Sequence, residues 1–339
     1  MLNVAEINLT TLKNNALAIK KKLKKTTRFC AVVKADAYGH GGVKVASALH
    51  SFVDCFAVAI SEEGIALRQG GITKDVLVLV PVNEYDIERS VCYRLTLTVT
   101  SISDLKIIEE EGKRQNRIVK VHVKYDTGMN RQGVSTLSDL EKIFEYSKKC
   151  EHVFLEGIYS HFACPENKKS LNKAVNKFLL AIRLAVGYNN KIIKHISASG
   201  GFLQGAEFDM VRIGILLYGY KPYQSDYVSV KPVMKIYSPV IEKRTLKKGD
   251  CALYGEKRAS KKTNVHIVRY GYADGLFRSE TSGLFNNRCM DLSAMVNPTI
   301  KKDMAVILAN AEEIARKYKT ISYEVLTHCA SRAERVYVT

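Results

Sequence analysis

Eight short apolar runs constrain this chain more than any other feature. They are Phe29–Val33, Val53–Ile60, Asp75–Val80, Leu95–Thr100, Ile118–Asp126, Val153–His161, Ile192–Ser199 and Met210–Gly219, with helix-patterned polar stretches between them. The runs are rich in Val and Ile and too short for helices. Near-continuous apolar strands that alternate with helices belong to a parallel sheet covered on both faces. Eight such units in about 200 residues predict a (β/α)8 barrel of the TIM type. A doubly wound open sheet is the competing architecture, weakened because no GxGxxG follows any run.

After residue 227 the texture changes to strand-like pieces separated by turns: Met234–Val240, Asp250–Leu253, Val265–Tyr270, Arg288–Leu292 and Met304–Leu308. A single helix is expected at Asn310–Tyr318, acidic early and basic late as the helix dipole prefers. The expected division is a barrel over residues 1–227 and a β-rich domain over 228–339. The opening NVAEINL alternates apolar and polar residues, so residues 1–10 read as a strand that joins the second domain.

Composition narrows the classes. The 339 residues are 46% hydrophobic, enough for a sizeable core. The start MLNVAEINLT lacks the apolar segment of a secretory signal, and no run approaches the ~18 residues of a membrane span. Eight scattered cysteines without CxxC spacing read as reduced thiols of a cytoplasmic protein, with no disulfide frame and no metal site. The net charge of +18 raises a nucleic-acid partner, but the densest basic run, Lys20-Lys21-Lys22-Leu23-Lys24-Lys25, has no interleaved aromatics and reads as a solvated helix end.

Catalytic groups in a parallel barrel come from the C-terminal ends of its strands. Those ends carry Lys34, Asp126 with Arg131 close behind, His161, Ser199, and Arg212 with Gly214. A lysine at the mouth of a buried strand loses solvation, which frees its neutral amine for a Schiff base or proton transfer. By itself an apolar run ending in lysine is equally an ordinary strand end. Ser199-Gly200-Gly201 and Gly214-Ile215 follow the last two strands, where such barrels often hold a phosphate, though Gly200-Gly201 also reads as a plain turn.

Seven strings in order make the chain resemble the alanine racemases, fold-type III enzymes that use pyridoxal phosphate (PLP), over nearly its whole length. They are VKADAYGHG, VKYDTGMNRQG, GIYSHFA, VRIGILLYG, ALYGEKRAS, GYADG and RCMD. The resemblance implies that Lys34 carries the cofactor and that Tyr38, Ser199, Gly214 and Ile215 contact its phosphate. It implies that Arg212 faces the pyridine nitrogen and that His161 supports the catalytic tyrosine. Arg131, the Met290 N–H and the entrance residue Tyr272 would hold the substrate. Lys124 falls where many members carry a carbamylated lysine beside that arginine. Tyr254 matches the catalytic tyrosine, which with Lys34 would form a two-base pair. In the family Tyr254 and Tyr272 reach the site from the other subunit, which implies a homodimer. The implied function is interconversion of L- and D-alanine for the cell wall. A non-catalytic PLP-carrier barrel would lack the second domain, and a fold-III decarboxylase would need a cysteine-based substrate motif not found here.

Three departures stand out. Ser331 replaces a tyrosine that in the family contacts the phosphate and walls the side-chain pocket. Ala198-Ser199 stands for the usual Asn-Ser, and the stretch between Arg278 and Arg288 is short. The lost wall raises serine or broad-specificity racemisation as the alternative function.

Overall fold

The computed structural model describes residues 2–278 and 284–339; the centre of the short stretch between Arg278 and Arg288 lies outside the described residues. Strand β1 (Val4–Asn8) leads into helix α1 (Leu9–Lys20), whose first turn is capped by Asn8 accepting from the Thr11 N–H at 2.7 Å. Eight parallel strands follow: β2 (Arg28–Val32), β3 (Cys55–Val58), β4 (Val76–Val78), β5 (Leu97–Val99), β6 (Val119–Lys124), β7 (Val153–Tyr159), β8 (Ile193–His195) and β9 (Met210–Ile213). They form two arcs, β4-β3-β2-β9 and β5-β6-β7-β8. Single parallel bridges, Leu77 to Thr96 and Ala198 to Arg212, close the arcs into a (β/α)8 barrel. Helices such as Ser61–Gln69, Ile102–Arg114, Leu137–Ser147 and Lys168–Tyr188 cover the outside. Their buried faces carry Ile65, Leu67, Leu105, Ile108, Leu140, Phe144 and Phe178. Burying each such side chain contributes roughly 1.5–3 kcal/mol, which is what holds the helices against the strands.

The β-rich part is built on the long strand β10 (Met234–Leu246), with β11 (Thr263–Val268), β12 (Ser293–Val296), β13 (Ile300–Lys301) and β14 (Met304–Leu308). β1 sits in this sheet, antiparallel to β10 and parallel to β15 (Glu334–Val338). The chain therefore begins in the second sheet, passes through the barrel and returns to it. Two expected strands are absent. Asp250–Leu253 is irregular because Gly249 and Leu253 take positive φ (92° and 60°), which a ladder does not accommodate. Arg288–Leu292 forms a turn in which the Cys289 N–H donates to the Leu292 carbonyl at 2.9 Å, and pairing resumes only at Ser293. The helix expected at the C-terminal end is Ala311–Tyr318, capped by Asn310, and a second helix at Ser322–Cys329 accompanies it.

Asn15 fastens α1 to the exit of the barrel. Its amide donates to the Leu217 and Lys231 carbonyls at 3.0 and 2.8 Å and accepts from the Lys231 N–H at 2.9 Å, all within a buried joint. Asn15→Ala leaves three backbone groups without partners, and we expect a loss of about 2–4 kcal/mol in urea unfolding. A loss below the ~0.5 kcal/mol of ordinary surface changes rejects that role.

Candidate active site

The strand ends converge on one mouth of the barrel. Lys34 lies two residues past the end of β2 and opens a turn, Lys34–Tyr38, in which Ala35, Asp36, Ala37 and Tyr38 all have φ between 51° and 54°. Four consecutive left-handed non-glycine residues cost roughly 1–2 kcal/mol each, so the surroundings must enforce the turn. Glu63 accepts from the Ala35 N–H at 2.6 Å, and Asp36 accepts from the Gly42 N–H at 2.6 Å. Arg335, on β15, pairs with Asp36 at 2.7 Å and donates to the Gly39 carbonyl at 2.9 Å. The turn aims Tyr38 inward, where its ring packs on Tyr218 (centroids 4.7 Å apart) and Tyr323 (5.9 Å).

A small polar cradle faces Tyr38. Ser199 starts the helix Ser199–Leu203 and accepts from the Gly214 N–H at 3.2 Å. A Cβ on Gly214 would sit 2.4 Å from the Tyr38 hydroxyl, so only glycine allows this approach. Ile215 is buried behind it. Tyr38, Ser199, Gly214 and Ile215 thus share one corner.

The rest of the mouth is cationic. Burial, then Arg131, lowers the Lys34 amine from its ordinary range. Burial with Arg212 and Arg131 brings Lys124 down to about 7. Burial and the same two arginines keep His161 neutral, so the charge of the His161–Arg212 pair resides on Arg212. Arg212 is 3% exposed and donates to the Ser160 and Ile196 carbonyls at 2.7 and 3.2 Å and toward His161 at 3.4 Å. No carboxylate pairs with Lys34, Lys124, Arg131 or Arg212 among the described residues. Asp126 is occupied by the Gly128 and Met129 N–H groups, at 2.7 and 2.9 Å. Tyr159 carries the Lys124 amine and the Arg212 guanidinium over its ring, each 5.1 Å from the centroid. Buried cations without carboxylate partners are costly unless an anion fills the space between them.

Three expected residues stand elsewhere. Tyr254, Tyr272 and Met290 lie in the second sheet's loops with exposures of 70%, 38% and 55%. Tyr272 and Met290 are neighbours: the Tyr272 N–H donates to the Cys289 carbonyl and the Ala273 N–H to the Met290 carbonyl, both at 3.0 Å. Among the described residues no hydrogen bond, ion pair or ring contact joins Tyr254 to the Lys34 cluster. Sequence reading passed over Glu63, His122, Glu156 and His195. His122 was readable, since it lies two residues before Lys124 and so on the same strand face.

Lys124 has a measurable consequence. Between about pH 7 and the ordinary lysine range the folded protein binds fewer protons than the unfolded chain, so stability rises with pH there. Lys124→Met should be more stable than the parent at pH 7, by on the order of 1 kcal/mol or more, with the gap closing toward pH 10. Urea midpoints at the two pH values test this; a gap that does not change with pH rejects it.

Comparison with known proteins agrees with this geometry. The family descriptions "Alanine racemase, N-terminal domain" and "Alanine racemase, C-terminal domain" match residues 7–222 and 233–337. The alanine racemase of Clostridium tetani is 33% identical, over 98% of this chain and 95% of that protein. That of Thermodesulfovibrio yellowstonii is 33% identical over 98% and 97%. Among solved structures, alanine racemase from Clostridium difficile 630 superposes with a TM-score of 0.94 at 33% identity, covering all of this chain and 96% of that one. The Bacillus anthracis enzyme with bound L-Ala-P gives 0.90 at 26%, over 99% and 95%. From its barrel to its β-rich sheet, this chain belongs to the alanine racemase family.

Proposed function

We propose that this protein interconverts L- and D-alanine with pyridoxal phosphate, by a two-base mechanism, as a homodimer in the cytoplasm. The observation that carries the reading is the pairing of a lysine whose basicity burial lowers with a cationic, carboxylate-poor mouth beside the Tyr38–Ser199–Gly214 corner. That donor set fits the cofactor: hydroxyls and backbone N–H groups suit a phosphate, and Arg212 offers a ring nitrogen a donor and never an acceptor. In this reading Lys34 would hold the cofactor through its amine, with Tyr38, Ser199, Gly214 and Ile215 at the phosphate. When bound, pyridoxal phosphate supplies an electron sink that acidifies the Cα–H of an amino acid.

Racemisation then needs a base on each face of Cα. The Lys34 Nζ serves one face, where its lowered basicity leaves it able to take up and return a proton. The Tyr254 hydroxyl of a second copy serves the other. A phenol is a weak base at neutral pH and needs positive charge nearby, here from Arg131 and Arg212. Among the described residues Arg131 has no carboxylate partner, which suits it to bind the substrate carboxylate, together with the Met290 N–H. Tyr272 lines the entrance. Lys124, brought down to about 7 and so partly neutral near pH 7, is suited to capture carbon dioxide as a carbamate with loss of a proton, giving Arg131 an anionic neighbour. Exposure of Tyr254, Tyr272 and Met290 supports a subunit interface over these loops. All eight cysteines are free, which supports a reducing compartment, and among the described residues no helix is long and apolar enough to cross a membrane. We place the division between the two domains at residues 227 and 228.

A second reading rests on Ser331. It is exposed, and its hydroxyl lies 3.5 Å from the Ala273 carbonyl. A small polar residue there leaves room for serine or larger side chains. Kinetics with alanine, serine and lysine separate the two readings: alanine should have the highest kcat/KM, and a higher value for serine favours the second. Borohydride treatment of the cofactor-loaded protein should leave the pyridoxyl group on Lys34 by peptide mass, and a tag elsewhere overturns the assignment. Lys34→Ala and Tyr254→Phe should each lose activity alone. Mixed after subunit exchange, they should recover part of it if each site takes Tyr254 from the partner, and no recovery argues for self-contained sites.

A further inference from the structure

Behind Arg212 a line of buried polar groups runs down the barrel axis, where such barrels ordinarily stack apolar side chains. The Arg212 Nη1 lies 2.5 Å from the His195 Nδ1, and the His195 Nε2 lies 2.7 Å from the His122 Nδ1. The His122 Nε2 lies 3.1 Å from one oxygen of Glu156. The other Glu156 oxygen takes Lys120 at 2.9 Å, and Lys120 also reaches Asp75 at 3.0 Å. Asp75 and Lys120 line a groove at the floor of the barrel with Arg94 and Arg117, at the N-terminal ends of the strands and so opposite Lys34.

The directions of these bonds follow from their two ends. A guanidinium has no lone pair, so Arg212 donates and the His195 Nδ1 accepts. The proton of neutral His195 is then on Nε2 and is donated to the His122 Nδ1. The proton of His122 is on its own Nε2 and is donated to Glu156, an ionised carboxylate that only accepts. Burial first, with Arg212 close by, keeps His195 uncharged, and burial keeps His122 uncharged. Burial opposes ionisation of Glu156, but the bonds from His122 and Lys120 outweigh it and hold the carboxyl at about 2.

Two features of the backbone serve this line. In the β6–β7 pairing Val121 faces Leu155 while His122 faces Gly157, so Glu156 is an extra residue in β7. Bulges are rare between parallel strands and re-aim a side chain; this one brings Glu156 to His122. Gly157 leaves the space that the His122 ring fills, since a Cβ there would lie 2.5 Å from its Nδ1. Tyr159 stacks flat on His195 (4.9 Å, 1°) and is itself tied to Thr98 at 2.8 Å, which fixes the imidazole plane. None of the four ring nitrogens is left without a partner.

We propose that Glu156 is a positioning residue for Arg212: from the barrel floor it sets the tautomers of His122 and then His195, so that Arg212 always meets a lone pair. The inference rests on the racemase reading for Arg212's task, but the tautomers can be read whether or not the protein racemises alanine. Reversing the line would turn an N–H of His195 toward an N–H of Arg212 and drive the guanidinium off its site.

Glu156→Gln performs that reversal. Its single amide oxygen stays with Lys120, and its NH2 faces His122, which must then accept. Nitrogen-15 spectra of the holoenzyme should show Nε2–H tautomers for His122 and His195 in the parent and Nδ1–H tautomers in Glu156→Gln. The variant should lose roughly tenfold in kcat with little change in KM for alanine. Lys120→Met alone should match the parent, and adding it to Glu156→Gln frees the amide oxygen for His122 and should restore both tautomers and kcat. Nδ1–H tautomers in the parent, or a Glu156→Gln enzyme with reversed tautomers and unchanged kcat, overturn the proposal. So does a folded double variant no better than Glu156→Gln. A parent with Nε2–H tautomers and no racemase activity leaves the relay standing and removes the functional reading instead.

Discussion

A guanidinium held inside a protein without a carboxylate beside it is the constraint around which this barrel is organised. Moving an ion of that size out of water costs several kcal/mol even after relaxation. Arg212 meets that cost with neutral acceptors: two backbone carbonyls, an imidazole lone pair and the face of Tyr159. Each solvates the charge and none cancels it. A carboxylate in contact would be more stabilising and would also attract a proton to whatever nitrogen Arg212 faces. The nearest balancing charge on this line, Glu156, is placed beyond two imidazoles. The mouth stays positive and the floor carries the acid.

The second constraint is the left-handed turn at Lys34–Tyr38. Local preference opposes it, so it persists through contacts supplied from distant parts of the chain. Glu63 comes from the helix after β3, Arg335 and Tyr337 from the last strand, and Tyr337 donates to the His40 carbonyl at 3.2 Å. β15 is aligned by its pairing with β1. The two ends of the chain therefore meet in one sheet, and that sheet grips the turn that presents the lysine. The second sheet is thus a structural support of the barrel's active mouth as well as the bearer of Tyr254.

Most of the barrel was legible because burial on both faces writes itself into sequence as Val- and Ile-rich runs. Every one of the eight runs coincides with a strand, the first to within a residue, and the strand ends did carry the charged cluster. Legibility failed where a backbone needs positive φ or where a contact comes from far away. Leu253 and Gly249 break a stretch that looks like a strand, and nothing in the residue types after Lys34 announces four consecutive positive φ values. Glu156 and His195 escaped because each looks like an isolated polar residue in a strand; only the bulge in β7 and the closing of the ring bring them into line with His122. The loops bearing Tyr254 and Met290 were recognisable only through family resemblance, since among the described residues no hydrogen bond, ion pair or ring contact ties them to the Lys34 cluster.

The polar line also accounts for an oddity of β6. Its sequence VKVHVK alternates as a half-exposed strand would, although the strand is almost entirely buried. Lys120, His122 and Lys124 all point to the barrel axis, and they replace the layers of branched side chains that usually fill such an interior. Packing an interior with polar groups is unfavourable unless every donor and acceptor is matched. Here Lys120 is matched at the floor and His122 in the middle, and among the described residues Lys124 has no hydrogen-bond or ion-pair partner at the mouth. One strand thus carries a graded series, from a paired ammonium through a neutral imidazole to an amine that burial makes reactive.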